Sequence, residues 1–166
     1  MATAAKTVEQ TCREAKDASH LLARAGRNEK DACLRDLADR IDAGVDPLLE
    51  ANRADVEAGR EQGLNEALLD RLTLTEGRIG EMAKGVREIA DLDDPVGEVV
   101  EGWTLENGLE VAKKRVPIGV VAVVYEARPN VTIDAAALAL KSGNAIVLRE
   151  LCAFKYLVEG DGQIRS

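Results

Sequence analysis

From Val8 to about Ala90 the apolar positions recur at helical spacing. Val8, Cys12, Ala15, Ser19 and Leu22, then Cys33, Leu34, Leu37, Ala38 and Ile41, fall on one face of a helical period. The pattern breaks at Gly26-Arg27-Asn28, at Gly44 to Pro47, at Gly63 to Asn65 and at Thr73 to Thr75, which predicts about five amphipathic helices in succession. Asn28, Asp46 and Thr75 are the expected N-caps, with Pro47 at a first helical position and Glu50 near exposed first-turn amides.

Past Asp91 the period changes from helical to alternating. In DDPVGEVVEGWTLENGLEVAKKRVP, apolar and polar residues alternate on both sides of Asn107-Gly108, a pair whose tolerance of positive φ suits a tight hairpin turn. The spacing predicts antiparallel strands over Gly97–Leu105 and Leu109–Val116, with Trp103, the only tryptophan, packing on one hairpin face. Ile118–Val124 is then a continuous apolar run of strand length. Val131–Leu140 has helical spacing, Gly143-Asn144 stops that helix, and Ala145–Leu148 is a second apolar run. Two such runs joined through a helix predict a right-handed βαβ unit with parallel strands.

The first of these strands ends abruptly in a polar segment. In VVYEARPNVT, Pro129 biases Arg128 away from helical geometry, and Asn130 or Thr132 could cap the following helix. Ligands of open α/β sheets bind beyond the carboxyl ends of the strands, where Tyr125 to Asn130 falls. The residues alone leave two readings open, a ligand-facing loop and a capped connector.

Composition narrows the class. The 166 residues are 46% hydrophobic but only 2% aromatic, so the core is expected to be aliphatic. With 22 basic against 30 acidic residues the net charge is −8, which disfavours nucleic acid and anionic membrane as partners. No apolar run has the length of a secretory core or a membrane span, and the expected location is the cytoplasm. Cys12, Cys33 and Cys152 are widely spaced and lack a C-x-x-C or Cys/His pattern, so neither a disulfide framework nor a metal site is indicated. His20, the only histidine, is expected to have a plain surface or packing role.

RVPIGVVAVVYEARPNVTIDAAALALKSGNAIVLR closely resembles the γ-glutamyl phosphate reductases, also called glutamate-5-semialdehyde dehydrogenases, of the aldehyde dehydrogenase superfamily. LNEALLDRLTLTEGRI and DLDDPVGEV agree with the same family, and the likeness runs from about residue 8 to Arg149. It implies an α/β fold: the N-terminal part of an aldehyde dehydrogenase-like chain, with a helical region, a β-hairpin and the start of a parallel Rossmann-like sheet. The corresponding divisions are 1–92, helical part of the cofactor-binding domain; 93–116, a hairpin of oligomerisation type; 117–149, the βαβ unit; and 150–166, a divergent tail. The implied reaction is NADPH-dependent reduction of L-glutamate 5-phosphate to L-glutamate 5-semialdehyde with release of phosphate, the second step of proline biosynthesis. In that family a cysteine thiolate attacks the acyl phosphate and hydride reduces the resulting thioester.

The resemblance also implies site residues. Asn130 corresponds to the superfamily asparagine whose side-chain amide donates to the oxyanion, and Arg149 to a basic position near the adenosine ribose, where it suits the 2′-phosphate of NADP(H). Arg128 is a candidate for the anionic substrate. Lys141 and Ser142, closing the crossover helix, are expected to cap it. The absent G-x-G-x-x-G does not count against a nucleotide, because this superfamily uses another phosphate loop. Relatives outside the family usually carry Pro-Trp-Asn where this chain has Arg128-Pro129-Asn130, which disfavours a broader aldehyde dehydrogenase.

After Arg149 a glycine pair and a helix are expected, but the chain reads ELCAFKYLVEGDGQIRS. A frameshift, a premature stop or a mispredicted gene end would produce this. The family's nucleophilic cysteine is then expected to be absent; Cys12 and Cys33 read as packing residues and Cys152 as part of the divergent tail. The chain alone is expected to be inactive and poorly soluble, with full-length relatives homo-oligomeric. The alternative is a non-catalytic interaction module that assembles with a full-length reductase.

Overall fold

The structure, a computed structural model, describes residues 6–126 and 128–150. Cys152 and the rest of the divergent tail after Glu150 lie outside them. Five helices come first: α1 (Val8–Leu22), α2 (Arg27–Ala43), α3 (Val45–Glu61), α4 (Glu66–Leu72) and α5 (Glu76–Asp91). The hairpin β1 (Val99–Thr104) and β2 (Glu110–Lys114) follows, then β3 (Val120–Tyr125), α6 (Pro129–Lys141) and β4 (Ala145–Glu150). This is the expected order: a helical region, an antiparallel pair and a βαβ unit whose strands are parallel, from Val120 opposite Ala145 to Tyr125 opposite Glu150.

Leu34, Ala38 and Ile41 of α2 are buried against Ile79, Met82, Ala83, Val86 and Ala90 of α5, and Ala137 of α6 joins them. The core is aliphatic, as composition requires, and it fixes α6 against α5. A smaller cluster of Val56, Leu69 and Leu72, with Leu64 packed on it, ties α3 to α4. Gly59 makes this approach possible, since a Cβ there would lie 2.9 Å from the Leu64 side chain.

The helix starts differ from expectation in detail. Thr75 caps α5 by accepting from the Arg78 N–H, as expected, but Asn28 and Asp46 are not caps. Gly26 and Gly44 stand at those N-termini, and the Glu29 carboxylate accepts from the Gly26 N–H at 2.8 Å. Pro47 therefore lies inside the first turn of α3 rather than at its first position. Thr7 and Asn65 cap α1 and α4 through side-chain oxygens. Cys12 and Cys33 are exposed rather than packed: each falls on the solvent side of its helix, while Ser19 and Leu34 take the inward positions. His20 is exposed.

The hairpin turn is one residue longer than a two-residue Asn-Gly turn. Gly108 N–H donates to Leu105 O at 2.8 Å, and Leu105 N–H to Leu109 O at 2.9 Å. Glu106 and Asn107 are thus the central residues, with Gly108 following at φ +83°. Trp103 lies opposite Val111 and is 46% exposed, so the packing role expected for it is only partly realised. Ile118 lies outside β3 and is 84% exposed, because Pro117 and Gly119 at φ +115° interrupt the extended run before it. At the far end of the unit, Gly143 at φ +72° ends α6, as its position predicts.

Lys141 does not serve as a solvated helix-end cation. It is 3% exposed, and its Nζ donates to Asp31 Oδ1 at 2.5 Å and to Ala90 O at 2.7 Å. Beside it, the buried Lys30 donates to Asp94 at 2.7 Å and to Lys141 O at 3.1 Å. These two lysines join α2, α5, the segment after α5 and α6 at one point. Hydrogen bonding to Lys141 holds the Asp31 carboxyl below the usual carboxylate range, with burial opposing and the charges of Lys141 and Arg27 adding. Burial also opposes ionisation of Asp94, but the Lys30 and Val96 N–H hydrogen bonds outweigh it and lower that pKa too. Ser142 does cap: it is the C-cap residue, and its hydroxyl donates to Leu138 O at 2.7 Å.

Candidate active site

The end of β3 and the start of α6 form one wall of a cavity of about 650 Å³. Arg128 stands at the helix N-cap with φ −140° and ψ 92°, extended as the following proline requires. Pro129 occupies the first turn, where its missing N–H costs nothing, so α6 begins two residues earlier than the apolar period predicts. Asn130 and Thr132 are consequently inside the helix, and neither is its cap. The Thr132 hydroxyl instead meets the Tyr125 hydroxyl at 2.6 Å, tying the last residue of β3 to the first turns of α6 across the intervening loop.

The opposite wall is the corner between α4 and α5, where Arg71, Thr73 and Thr75 face the cavity. Asn52 of α3 fixes this corner from beneath: its Nδ2 donates to Leu72 O at 2.8 Å, and Leu74 N–H donates to its Oδ1 at 2.7 Å. Arg78 closes the same corner from above, donating to the Asp70 and Thr73 carbonyls and to the Asp70 carboxylate. The cavity is therefore held by side-chain to backbone bonds, buried at Asn52 and exposed at Arg78, rather than by loop packing alone.

Asn130 and Asp134 lie one turn apart on the cavity side of α6. Burial raises the Asp134 pKa, and the neighbouring Asn130 amide lowers it in opposition. Helix α5 passes this point at Gly85, where a Cβ would sit 3.8 Å from Asp134 Oδ1. Arg128 and Asn130 thus share one cavity. Arg149, exposed near the end of β4 and opposite Val124, is not among its lining residues. Sequence reasoning missed Arg71, Arg78 and Asp134. Asp134 was findable as the residue four after Asn130 on a predicted helix, whereas the arginines come from a segment about fifty to sixty residues earlier and carry no local signal.

The features assembled here, a helical region, a hairpin and a parallel β-α-β unit with a polar cavity at the strand's carboxyl end, define an α/β chain whose cavity lies where open parallel sheets bind ligands. No protein-family model matches the sequence. Individual relatives do. It is 54% identical over 135 residues to the γ-glutamyl phosphate reductase of Psychromonas ingrahamii, covering 81% of this chain and 32% of that protein. To the enzyme of that name from Thermodesulfovibrio yellowstonii it is 50% identical over 137 residues, covering 82% and 33%. Among solved structures, the γ-glutamyl phosphate reductase of Thermotoga maritima superposes with a TM-score of 0.84 at 43% identity, over 87% of this chain and 35% of that one. The Saccharomyces cerevisiae reductase gives 0.82 at 32% identity, over 88% and 38%. The chain is thus similar to γ-glutamyl phosphate reductases, and it spans about a third of the length of the relatives it matches.

Proposed function

We propose that this chain forms the N-terminal part of an enzyme that reduces L-glutamate 5-phosphate to L-glutamate 5-semialdehyde with NADPH, in the cytoplasm and as a step of proline biosynthesis. The observation that carries this reading is the meeting of Arg128, Pro129 and Asn130 with the α4–α5 corner in one cavity, in a chain about half identical to reductases of that name. On this reading residues 1–92 and 117–149 belong to the cofactor-binding domain and 93–116 to an oligomerisation element.

Asn130 is the residue with which this chain acts on the reacting carbonyl. Its carboxamide has two N–H bonds, and the Asp134 carboxylate can take one. The second is left to donate to an oxygen that gains negative charge, and a neutral donor held by its own helix needs little reorganisation to do so. Asp134 acts as a positioning residue, because it orients the amide without reaching the substrate.

The cofactor side is supported by β3 and β4. Their parallel pairing ends together at Tyr125 and Glu150, and no hydrogen bond or ion pair among the described residues engages the exposed Arg149 side chain. A planar guanidinium in that position suits a ribose 2′-phosphate. NADPH bound there would supply the hydride. Val124, 59% exposed, and Leu138 leave apolar surface of the kind that further strands and helices cover in a larger sheet.

The test is a chimera in which residues 6–150 of this chain replace the matching third of the Thermotoga maritima reductase. Phosphate-dependent NADP⁺ reduction with glutamate semialdehyde is the expected result. A folded chimera without turnover would overturn the reading.

A further inference from the structure

The cavity carries a charge arrangement that Asn130 does not use. Six of its lining side chains are ionisable: Asp70, Arg71, Arg78, Glu81, Arg128 and Asp134. Four of them already have partners. Arg78 and Asp70 pair at 3.1 Å, Glu81 lies 3.7 Å from Lys84, and Asp134 has the Asn130 amide beside it, which lowers its pKa. Arg71 and Arg128 remain. Both are exposed, they face the cavity from opposite walls, and no hydrogen bond or ion pair among the described residues engages either guanidinium.

We propose that Arg71 and Arg128 form a two-guanidinium clamp for a phosphoryl group, and that this group is the 5-phosphate of the substrate. The assignment of the phosphate to that substrate rests on the reading of the site as an acyl-phosphate reductase. The clamp itself rests on charge. Two arginines across one cavity supply two positive charges and two planar forks, which match a dianionic phosphoryl group better than a singly charged carboxylate. Position agrees with this. Arg128 stands two residues before Asn130 on the same wall, and in an acyl phosphate a single bridging oxygen separates the phosphorus from the carbonyl carbon that Asn130 would serve. Arg71 is held where it can meet the same group because Asn52 and Arg78 pin the corner that carries it. Neither arginine supports the fold by a bond of its own, so exposing two unpaired guanidiniums to one cavity is a feature of binding.

The probe is inorganic phosphate, titrated calorimetrically into the full 166-residue chain, with acetate and glutarate as carboxylate probes. Saturable phosphate binding is expected, weakened about tenfold or more by either Arg71→Gln or Arg128→Gln and partly kept by the lysine variants, which retain charge but not the fork. Arg13→Gln, exposed on α1 and not among the cavity's lining residues, leaves binding unchanged, and unaltered melting curves show that the arginine variants remain folded. Phosphate that does not saturate, or that binds the glutamine variants as well as the parent, would overturn the clamp. So would acetate or glutarate binding as tightly as phosphate, which would assign the pair to a carboxylate. Because this titration needs neither turnover nor NADPH, its failure is distinct from failure of the chimera to reduce NADP⁺. An active chimera whose KM for phosphate is unmoved by Arg71→Gln and Arg128→Gln would keep the reductase reading and remove the clamp.

Discussion

The Asn130 side-chain amide precedes the Asp134 carboxylate by one turn on α6 and lowers the pKa that burial raises. An asparagine amide free to rotate would present its oxygen and its N–H bonds in turn to the cavity, whereas an anionic acceptor on one side fixes which face carries the donors. In the chimera, Asp134→Ala is expected to lower kcat about tenfold with little change in KM, since only the orientation of the transition-state donor is lost. Asp134→Asn keeps an acceptor and should restore most of the rate. Equal rates for the parent and Asp134→Ala would remove the positioning role.

Lys141 and Asp31, 110 positions apart in sequence, form a buried ion pair with the Ala90 carbonyl as a further acceptor. Lys141→Met leaves Asp31 buried without its main partner and is expected to cost about 3–5 kcal/mol in urea unfolding. The double variant Lys141→Met/Asp31→Leu should recover part of this loss, because no charge is then stranded. A single variant as stable as the parent would show that the pair contributes nothing.

The same pair sets an acid limb. Asp31 and Asp94 have folded-state pKa values below the ordinary 3.8, so the folded state binds fewer protons there than the unfolded chain. Their contribution is full above that value and is lost as pH falls through their lowered folded values. Stability measured across the acid range should drop less steeply in the Lys141→Met/Asp31→Leu variant than in the parent.

Asp55 works in the opposite sense. It is 0% exposed, neither carboxylate oxygen has a hydrogen-bond partner among the described residues, and burial raises its pKa to about 6. A carboxyl whose folded pKa lies above its unfolded value weakens the fold as pH rises from about 4 to about 6, and the full penalty remains above that. The shift corresponds to about 3 kcal/mol. Asp55→Asn should therefore flatten the pH profile in this window and raise the melting temperature at pH 7. A lower melting temperature at pH 7 would mean that the charged form is stabilised in the folded chain.

Gly143 joins the end of α6 to the segment between hairpin and sheet. At φ +72°, with a Cβ position 3.0 Å from Pro117 Cγ and 3.3 Å from Val96 Cγ2, it has neither the backbone conformation nor the space for a side chain. Gly143→Ala is expected to cost about 1–3 kcal/mol, read as a lower denaturant midpoint. An unchanged midpoint would show that Pro117 and Val96 move aside freely.

Local chemistry explains which parts of this fold are legible in the sequence. The helical period over α2 (the exposed Cys33 apart), the positive φ of Gly108 and the Gly143 stop are each encoded within a few residues, whereas the central pair of the hairpin turn is Glu106-Asn107 and not Asn107-Gly108. Gly26 and Gly44 were missed as caps because a glycine cap offers no side-chain signal, so the nearby Asn28 and Asp46 drew the assignment. Lys141 has the position of a helix-end cation; only the arrival of Asp31 and Ala90 from distant helices makes it a buried pin. The candidate site divides in the same way. Arg128 and Asn130 could be read from one stretch, while Arg71, Asn52 and Arg78 enter through a corner formed by α3, α4 and α5.

The central claim is that Asn130 of this chain donates to the charge developing on an acyl carbonyl. Its most direct test is kcat/KM for the chimera with Asn130→Ala, measured beside the unsubstituted chimera and with the fold checked by melting. A loss of about 10²–10³, the usual effect of removing one such donor, is the expected result. A folded Asn130→Ala chimera as active as its parent would contradict it.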